Sequence, residues 1–125
     1  MNVPSKVQMD LIERDARAVF PDFESLDVRG GEVVIYKTSG ESKQFDPLAD
    51  LVDALFVAES LLIEFAGLGA LSAFARVKVG NEATISEKCG SSDELVKNHF
   101  YPPLCVAITR CAAMAWELKK CKQSQ

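Results

Sequence analysis

The sequence predicts an α+β domain in which an antiparallel sheet of four or five strands, built from two hairpins, is flanked by three main helices. Three observations carry this expectation. Two pairs of alternating segments meet at turn glycines, Gly30-Gly31 and Gly80. Three longer segments, 4–20, 47–65 and 103–120, place apolar residues at helical spacing. Prolines and capping residues punctuate the ends of those segments, as helix boundaries require.

The first helix is read over 4–20, with Pro4 in its first turn and Pro21 as its stop. Met9, Ile12, Ala16, Val19 and Phe20 form its apolar stripe, while Asp10 with Arg14 and Glu13 with Arg17 are spaced as i,i+4 ion pairs. Residues 25–38 read as a hairpin turning at Gly30-Gly31. A two-residue turn sets Arg29 opposite Glu32, Val28 opposite Val33 and Leu26 opposite Ile35. A turn at Ser39-Gly40 then allows a short third strand at Ser42–Phe45.

Asp46 and Pro47 open the second helix, read as far as Phe65 with Gly67 and Gly69 as its stop. Residues 72–86 read as a second hairpin. A three-residue loop from Gly80 to Glu82 matches Val79 to Ala83 and Val77 to Ile85, whereas a two-residue loop sets apolar against polar. Ser91 with Glu94 has the spacing of a capping box for a short helix ending near Phe100. The final helix, 103–120, carries Leu104, Ala107, Ile108, Cys111, Met114, Ala115 and Leu118 on one arc, which makes Cys111 core and leaves Trp116 partly exposed. Each hairpin leads into an aromatic-x-Pro-Leu step and a helix (Phe45 to Leu48, Tyr101 to Leu104), a weak internal repeat.

The 125 residues are enough for one domain, 1–125, and 48% hydrophobic with 26% charged residues excludes a disordered chain. The net charge of −4 gives phosphate no general attraction. It separates into −7 over residues 1–64 and +3 over 65–125, which suggests an acidic surface docking on a basic partner or head-to-tail self-association. Met1 to Asp15 holds five charged residues and no apolar run, so no signal peptide is expected. The uncharged stretch 65–75 is too short for a membrane span. Cys89, Cys105, Cys111 and Cys121 have no metal-ligand spacing, so structural or reduced thiols in a reducing, cytoplasmic setting are expected, with no metal and no cofactor.

One charge stands out. On the 47–65 helix, Leu48, Leu51, Val52, Leu55, Leu62, Ile63 and Ala66 build an apolar arc with Glu59 near its centre. Three readings are open: a buried polar site in which Glu59 is bonded to backbone or to Arg76, a catalytic or ligand-binding carboxylate, or a helix turned otherwise than the arc implies. Val57 and Leu61, on the other side with Asp50 and Asp53, mark an interaction surface together with Trp116, which also makes a homodimer an expectation. His99 has no identifiable nucleophile, and neither Gly30-Gly31 nor Gly67 with Gly69 belongs to a nucleotide-binding loop. Arg76, Lys78 and Lys88 with Phe74 would be the strand face of a nucleic-acid binder, but one aromatic is too few, and nucleic acid is disfavoured as a partner.

From Phe45-Asp46-Pro47-Leu48 through Asp53-Ala54 to Glu59-Ser60-Leu61, the chain resembles small phage and prophage proteins with the phage ABA sandwich domain. Those proteins lead an aromatic-x-Pro step into a helix with an Asp-Ala pair and a later Glu. Pro103-Leu104 through Ala107-Ile108-Thr109-Arg110-Cys111-Ala112-Ala113 resembles the family's closing helix, with Cys111 where a small residue is usual. The resemblance covers about residues 45–116; the opening helix and the Gly-Gly hairpin lie outside it, and the Gly67–Ala70 link is apolar. It implies an antiparallel sheet between helices, a phage or prophage origin and no catalytic residues. The expected function is therefore a small non-catalytic accessory protein that binds a host protein in the bacterial cytoplasm, an anti-defence inhibitor being its concrete form. A small enzyme using Glu59 or His99, and a nucleic-acid binder using the second hairpin, are the alternatives.

Overall fold

The computed structural model describes residues 4–67, 72–81 and 83–123, of which Lys122 and Gln123 are described as backbone alone. Four helices and two three-stranded antiparallel sheets follow one another as α1 (Lys6–Val19), β1 (Phe23–Arg29), β2 (Glu32–Lys37), β3 (Ser42–Gln44), α2 (Leu51–Leu61), β4 (Glu64–Gly67), β5 (Ser72–Val79), β6 (Ala83–Gly90), α3 (Glu94–His99) and α4 (Pro103–Gln123). The α+β class stands. The expected single sheet of four or five strands is instead two separate sheets, ordered β1-β2-β3 and β4-β5-β6, and the helices are four rather than three.

Helix α1 is capped by Ser5, whose side chain accepts from the Gln8 amide while Gln8 reaches back to the Ser5 amide. Ile12, Ala16 and Phe20 are buried as the stripe requires. Glu13 and Arg17 form their i,i+4 pair, but Arg14 turns instead to Glu117 on α4, 3.1 Å away. The first hairpin has the expected register, Arg29↔Glu32, Val28↔Val33 and Leu26↔Ile35. Gly30 and Gly31 both take positive φ (60° and 84°), as a two-residue hairpin turn demands. The second hairpin also keeps its expected register, Val79↔Ala83 and Val77↔Ile85. Glu82, in its loop, and Gly69, expected to stop the second helix, lie outside the described residues.

Helix α2 is shorter than its sequence suggests. Asp46 caps a preceding turn, accepting from the Leu48 and Ala49 amides at 3.2 Å, and Asp50 is the true N-cap, accepting from Val52 at 2.8 Å. The helix ends because Leu62 takes a left-handed conformation (φ 59°), after which the Ile63 amide bonds back to the Ala58 carbonyl at 2.8 Å. A leucine C-cap carries no glycine signal, so the strand β4 that follows is hidden inside the expected helix. Phe100 (φ 57°) ends α3 in the same way. That helix is capped by Asp93, not by the Ser91 box, with Leu95 donating its amide at 3.0 Å.

The core is continuous and centres on α4, which packs against both outer strands and the middle strand of the second sheet and against α1 and α2. Cys105, Val106, Ala107, Ile108 and Thr109, then Cys111, Ala112, Ala113 and Ala115, are all buried, so this helix is covered nearly all round. Alanine and cysteine at those positions let the neighbouring elements approach closely. Met114, expected on the core arc, is exposed. No helix among the described residues is long and apolar enough to cross a membrane.

Candidate functional site

The residues of α2 divide into two apolar faces. Ala54, Val57 and Ala58 are buried and Leu61 is half-buried, an i, i+3, i+4, i+7 series that seats the helix on α4 and α1. Taking 100° per residue, these inward positions span an arc of about 100°, and Leu51, Val52, Leu55, Phe56 and Leu62 span about 140° on the outside. All five outward residues are exposed, Val52 to 74% and Leu62 to 84%. Of the apolar arc read from the sequence, Leu51, Val52, Leu55 and Leu62 face solvent, whereas Leu48 and Ile63, which lie beyond the two ends of α2, are buried and Ala66 on β4 is half-buried. Small alanines on the inward side allow closer packing against α4 than the leucine side would, and they decide which face is buried.

This rotation corrects two expectations. Val57 is fully buried and belongs to the core, not to an interaction surface. Glu59 is exposed and lies centrally on the outer arc, so it is no buried polar site. Its expected partner Arg76 is exposed too, and gives both Nε and Nη2 to a single Glu64 oxygen on β4, at 3.0 and 2.8 Å. Glu64 and Arg76 face each other across the β4–β5 register, which is why the arginine is taken.

The other predicted surface residues fall in two places. Asp50 and Asp53 lie at the start of α2, Asp50 exposed and Asp53 half-buried, the latter accepting the Asp46 amide at 2.9 Å. Burial pushes the Asp53 and Asp46 carboxyls up, and the neighbouring carboxylates push in the same direction. Lys43 on β3 acts against this at Asp53. Its ammonium lies 5.2 Å from the Phe20 ring centre and 5.6 Å from that of Phe56, and the two rings stack at 5.5 Å. Leu61 and Trp116 are half-buried and meet around a small depression of about 100 Å³ with Ala18, Val77 and Val79, away from the outer arc of α2.

His99 ends α3, stacked on Tyr101 at 5.8 Å, and borders a cleft of about 480 Å³ between α1, α3 and α4. Glu59 is on a different element, and the structure does not bring the two together as one constellation. Lys78 and Lys88 are exposed with Arg76 on the outer face of the second sheet, with Phe74 half-buried opposite Lys88. Among the described residues, no group of three or more His, Cys, Asp or Glu side chains is placed to hold a metal ion.

Three residues of note escaped the sequence. Phe56 is exposed on the outer arc, stacked on Phe20. Asp15 on α1 and Thr109 on α4 are fully buried, and neither carboxyl oxygen of Asp15 nor the Thr109 hydroxyl has a hydrogen-bond partner among the described residues. Burial pushes the Asp15 carboxyl well above the usual carboxylate range. The signal for Asp15 is in the sequence: at 100° per residue it falls between Leu11 and Val19 on the packed side of α1. Comparison with protein-family models, with curated proteins and with solved structures found no match for this chain.

Proposed function

We propose that this protein is a non-catalytic interaction protein that docks another protein on the outer face of α2. The observation that carries the reading is the exposed apolar set Val52, Leu55, Phe56 and Leu62, placed about Glu59 on one side of a well-capped helix. Monomeric proteins rarely leave such a set uncovered, and apolar patches rimmed by polar groups mark contact sites. Asp50 and Asp53 supply part of that rim, and Glu59 lies inside it. Leu61 and Trp116, which share a shallow depression elsewhere, form a lesser contact.

The resemblance of residues 45–116 to the phage ABA sandwich proteins supports a phage or prophage setting, with the partner a host protein of the bacterial cytoplasm. An inhibitor of a host defence component is the concrete form of that role. Affinity capture from a bacterial lysate with the wild-type chain and with Leu55→Asp tests it. A host protein retained by the first and lost by the second supports the reading. Equal capture by both variants, with unchanged melting, overturns it.

A further inference from the structure

The outer face of α2 has a chemistry that selects its occupant, and we infer that it takes a basic amphipathic segment of another protein. Such a segment lays apolar side chains on Val52, Leu55, Phe56 and Leu62 and sets a lysine or arginine against Glu59. The inference rests on the docking reading above and adds the sign of the partner's charge.

Glu59 lies in the middle of the exposed apolar arc, so any partner that covers the arc also removes water from that carboxylate. A purely apolar partner leaves a desolvated, unpaired charge, whereas a cation at the centre of the contact answers it. The chain around Glu59 is acidic along the sequence. No lysine, arginine or histidine occurs from Gln44 to Ala75, a stretch that holds Asp46, Asp50, Asp53, Glu59 and Glu64. Of these, Glu64 is engaged by Arg76, and Lys43 is the cation beside Asp53. The chain's own cations lie at the two ends of the face, Lys37 and Lys43 at the Phe20 ring and Arg76, Lys78 and Lys119 around the hollow they share with Leu62. Glu59 between them is left without an ion pair among the described residues, and it is the carboxylate that a basic partner answers.

Lys43 also displays the mode of recognition. Its ammonium is over the Phe20 and Phe56 rings and close enough to Asp53 to favour the ionised carboxylate. An ammonium over an aromatic face is the contact a partner's cation repeats at Phe56, with Glu59 one helical turn away. A second copy of this chain fits less well. In a two-fold contact of α2 on α2 with its axis at the centre of the face, Glu59 meets its own copy, and only a displaced axis brings Lys43 to it.

The test titrates the full chain with three fluorescent helical peptides of one leucine heptad pattern, whose polar positions are all Lys, all Gln or all Glu. The Lys peptide is expected to bind most tightly, with amide shifts concentrated over residues 51–62. Glu59→Lys is expected to weaken it about fivefold or more, while Glu24→Lys, on β1 at the other edge of the first sheet and equal in net charge, changes it less than about twofold. Equal weakening by the two substitutions overturns the inference, as does a Glu peptide that binds as well as the Lys peptide. If the Gln peptide shifts residues 51–62 and matches the Lys peptide in affinity, the docking face stands and the basic partner falls. If no peptide shifts 51–62, both readings fall. A sedimenting dimer that Leu55→Asp dissociates assigns the face to a second copy and overturns the inference.

Discussion

Arg110, midway along α4, closes a two-point contact with Asp93, the residue that caps α3. One carboxylate thus holds the Leu95 amide and the guanidinium together, tying the short helix to the central one. The Arg110 hydrogen bonds hold the Asp93 carboxyl below the usual carboxylate range, while Asp93 pushes the guanidinium further up.

Breaking this contact loosens α3. Arg110→Ala is expected to cost about 1–3 kcal/mol, and Arg110→Lys to recover only part, because an ammonium cannot match the two-point geometry. Because the folded-state titration of Asp93 is depressed, its contribution is full above the ordinary carboxylate range and is lost as pH falls through the lower folded value. Urea melts of the wild type and Arg110→Ala between pH 7 and pH 2 check this: the gap between them is expected to close only in acid.

Asp15 has the opposite sign. Its folded-state titration is raised, so the folded chain holds the proton more firmly than the unfolded chain. Its contribution is most favourable below the ordinary carboxylate range, about pH 4, and erodes as pH rises towards the folded value. Asp46 and Asp53 act in the same direction, so Asp15→Asn is expected to flatten the pH dependence of stability without abolishing it. Melts across pH 4 to 8 check it, with Asp15→Asn gaining on the wild type as pH rises. A constant difference between them contradicts the assignment.

Leu62 combines a left-handed backbone with an exposed apolar side chain. Leu62→Gly relieves the backbone cost and is expected to stabilise the fold by up to about 1 kcal/mol. The same change removes one end of the proposed docking face and is expected to weaken partner or peptide binding. A stability gain paired with a binding loss, read by melting and by titration, separates the two roles of this side chain.

Val57 and Leu55 provide the converse pair. Val57→Ala empties buried volume and is expected to cost about 1–3 kcal/mol in stability while leaving binding intact. Leu55→Ala, on the outer face and partly out of water, is expected to cost less stability than Val57→Ala and to reduce binding. Denaturation midpoints and peptide affinities of the two variants check the rotation of α2 directly.

The cysteines separate by burial. Desolvation pushes the Cys105 and Cys111 thiols up to about 12 and that of Cys89 up to about 11, while Cys121 is exposed near the end of α4. Thiolate is the reactive form, so a native chain at pH 8 is expected to give one fast equivalent with a disulfide reagent and four after denaturation. Mass spectrometry after brief alkylation is expected to place the fast label on Cys121.

Local rules were legible because they are satisfied by near neighbours in the chain. The alternation about Gly30-Gly31 and about Gly80 determined both hairpin registers, since a one-residue slip turns every apolar side chain to the wrong face. The apolar stripe of α1 and the core position of Cys111 followed in the same way from helical spacing. The end of α2 was not legible, because Leu62 adopts a conformation for which glycine is the usual signal, and β4 was lost with it. The grouping of strands into two sheets was hidden as well, because no hydrophobic pattern says which strands pair across a helix.

The candidate site shows the division most sharply. The sequence by itself determined that α2 carries an apolar arc with Glu59 at its centre. Only the tertiary structure decided that its helical part, Leu51, Val52 and Leu55, points outward while Leu48 and Ile63 beyond the helix ends are buried, and the reason is packing. The opposite face offers Ala54 and Ala58, small enough to lie close against the buried side of α4, and Val57 is buried with them. Hydrophobicity alone ranks the leucine side first; close packing against a neighbour chosen by the whole fold reverses the ranking.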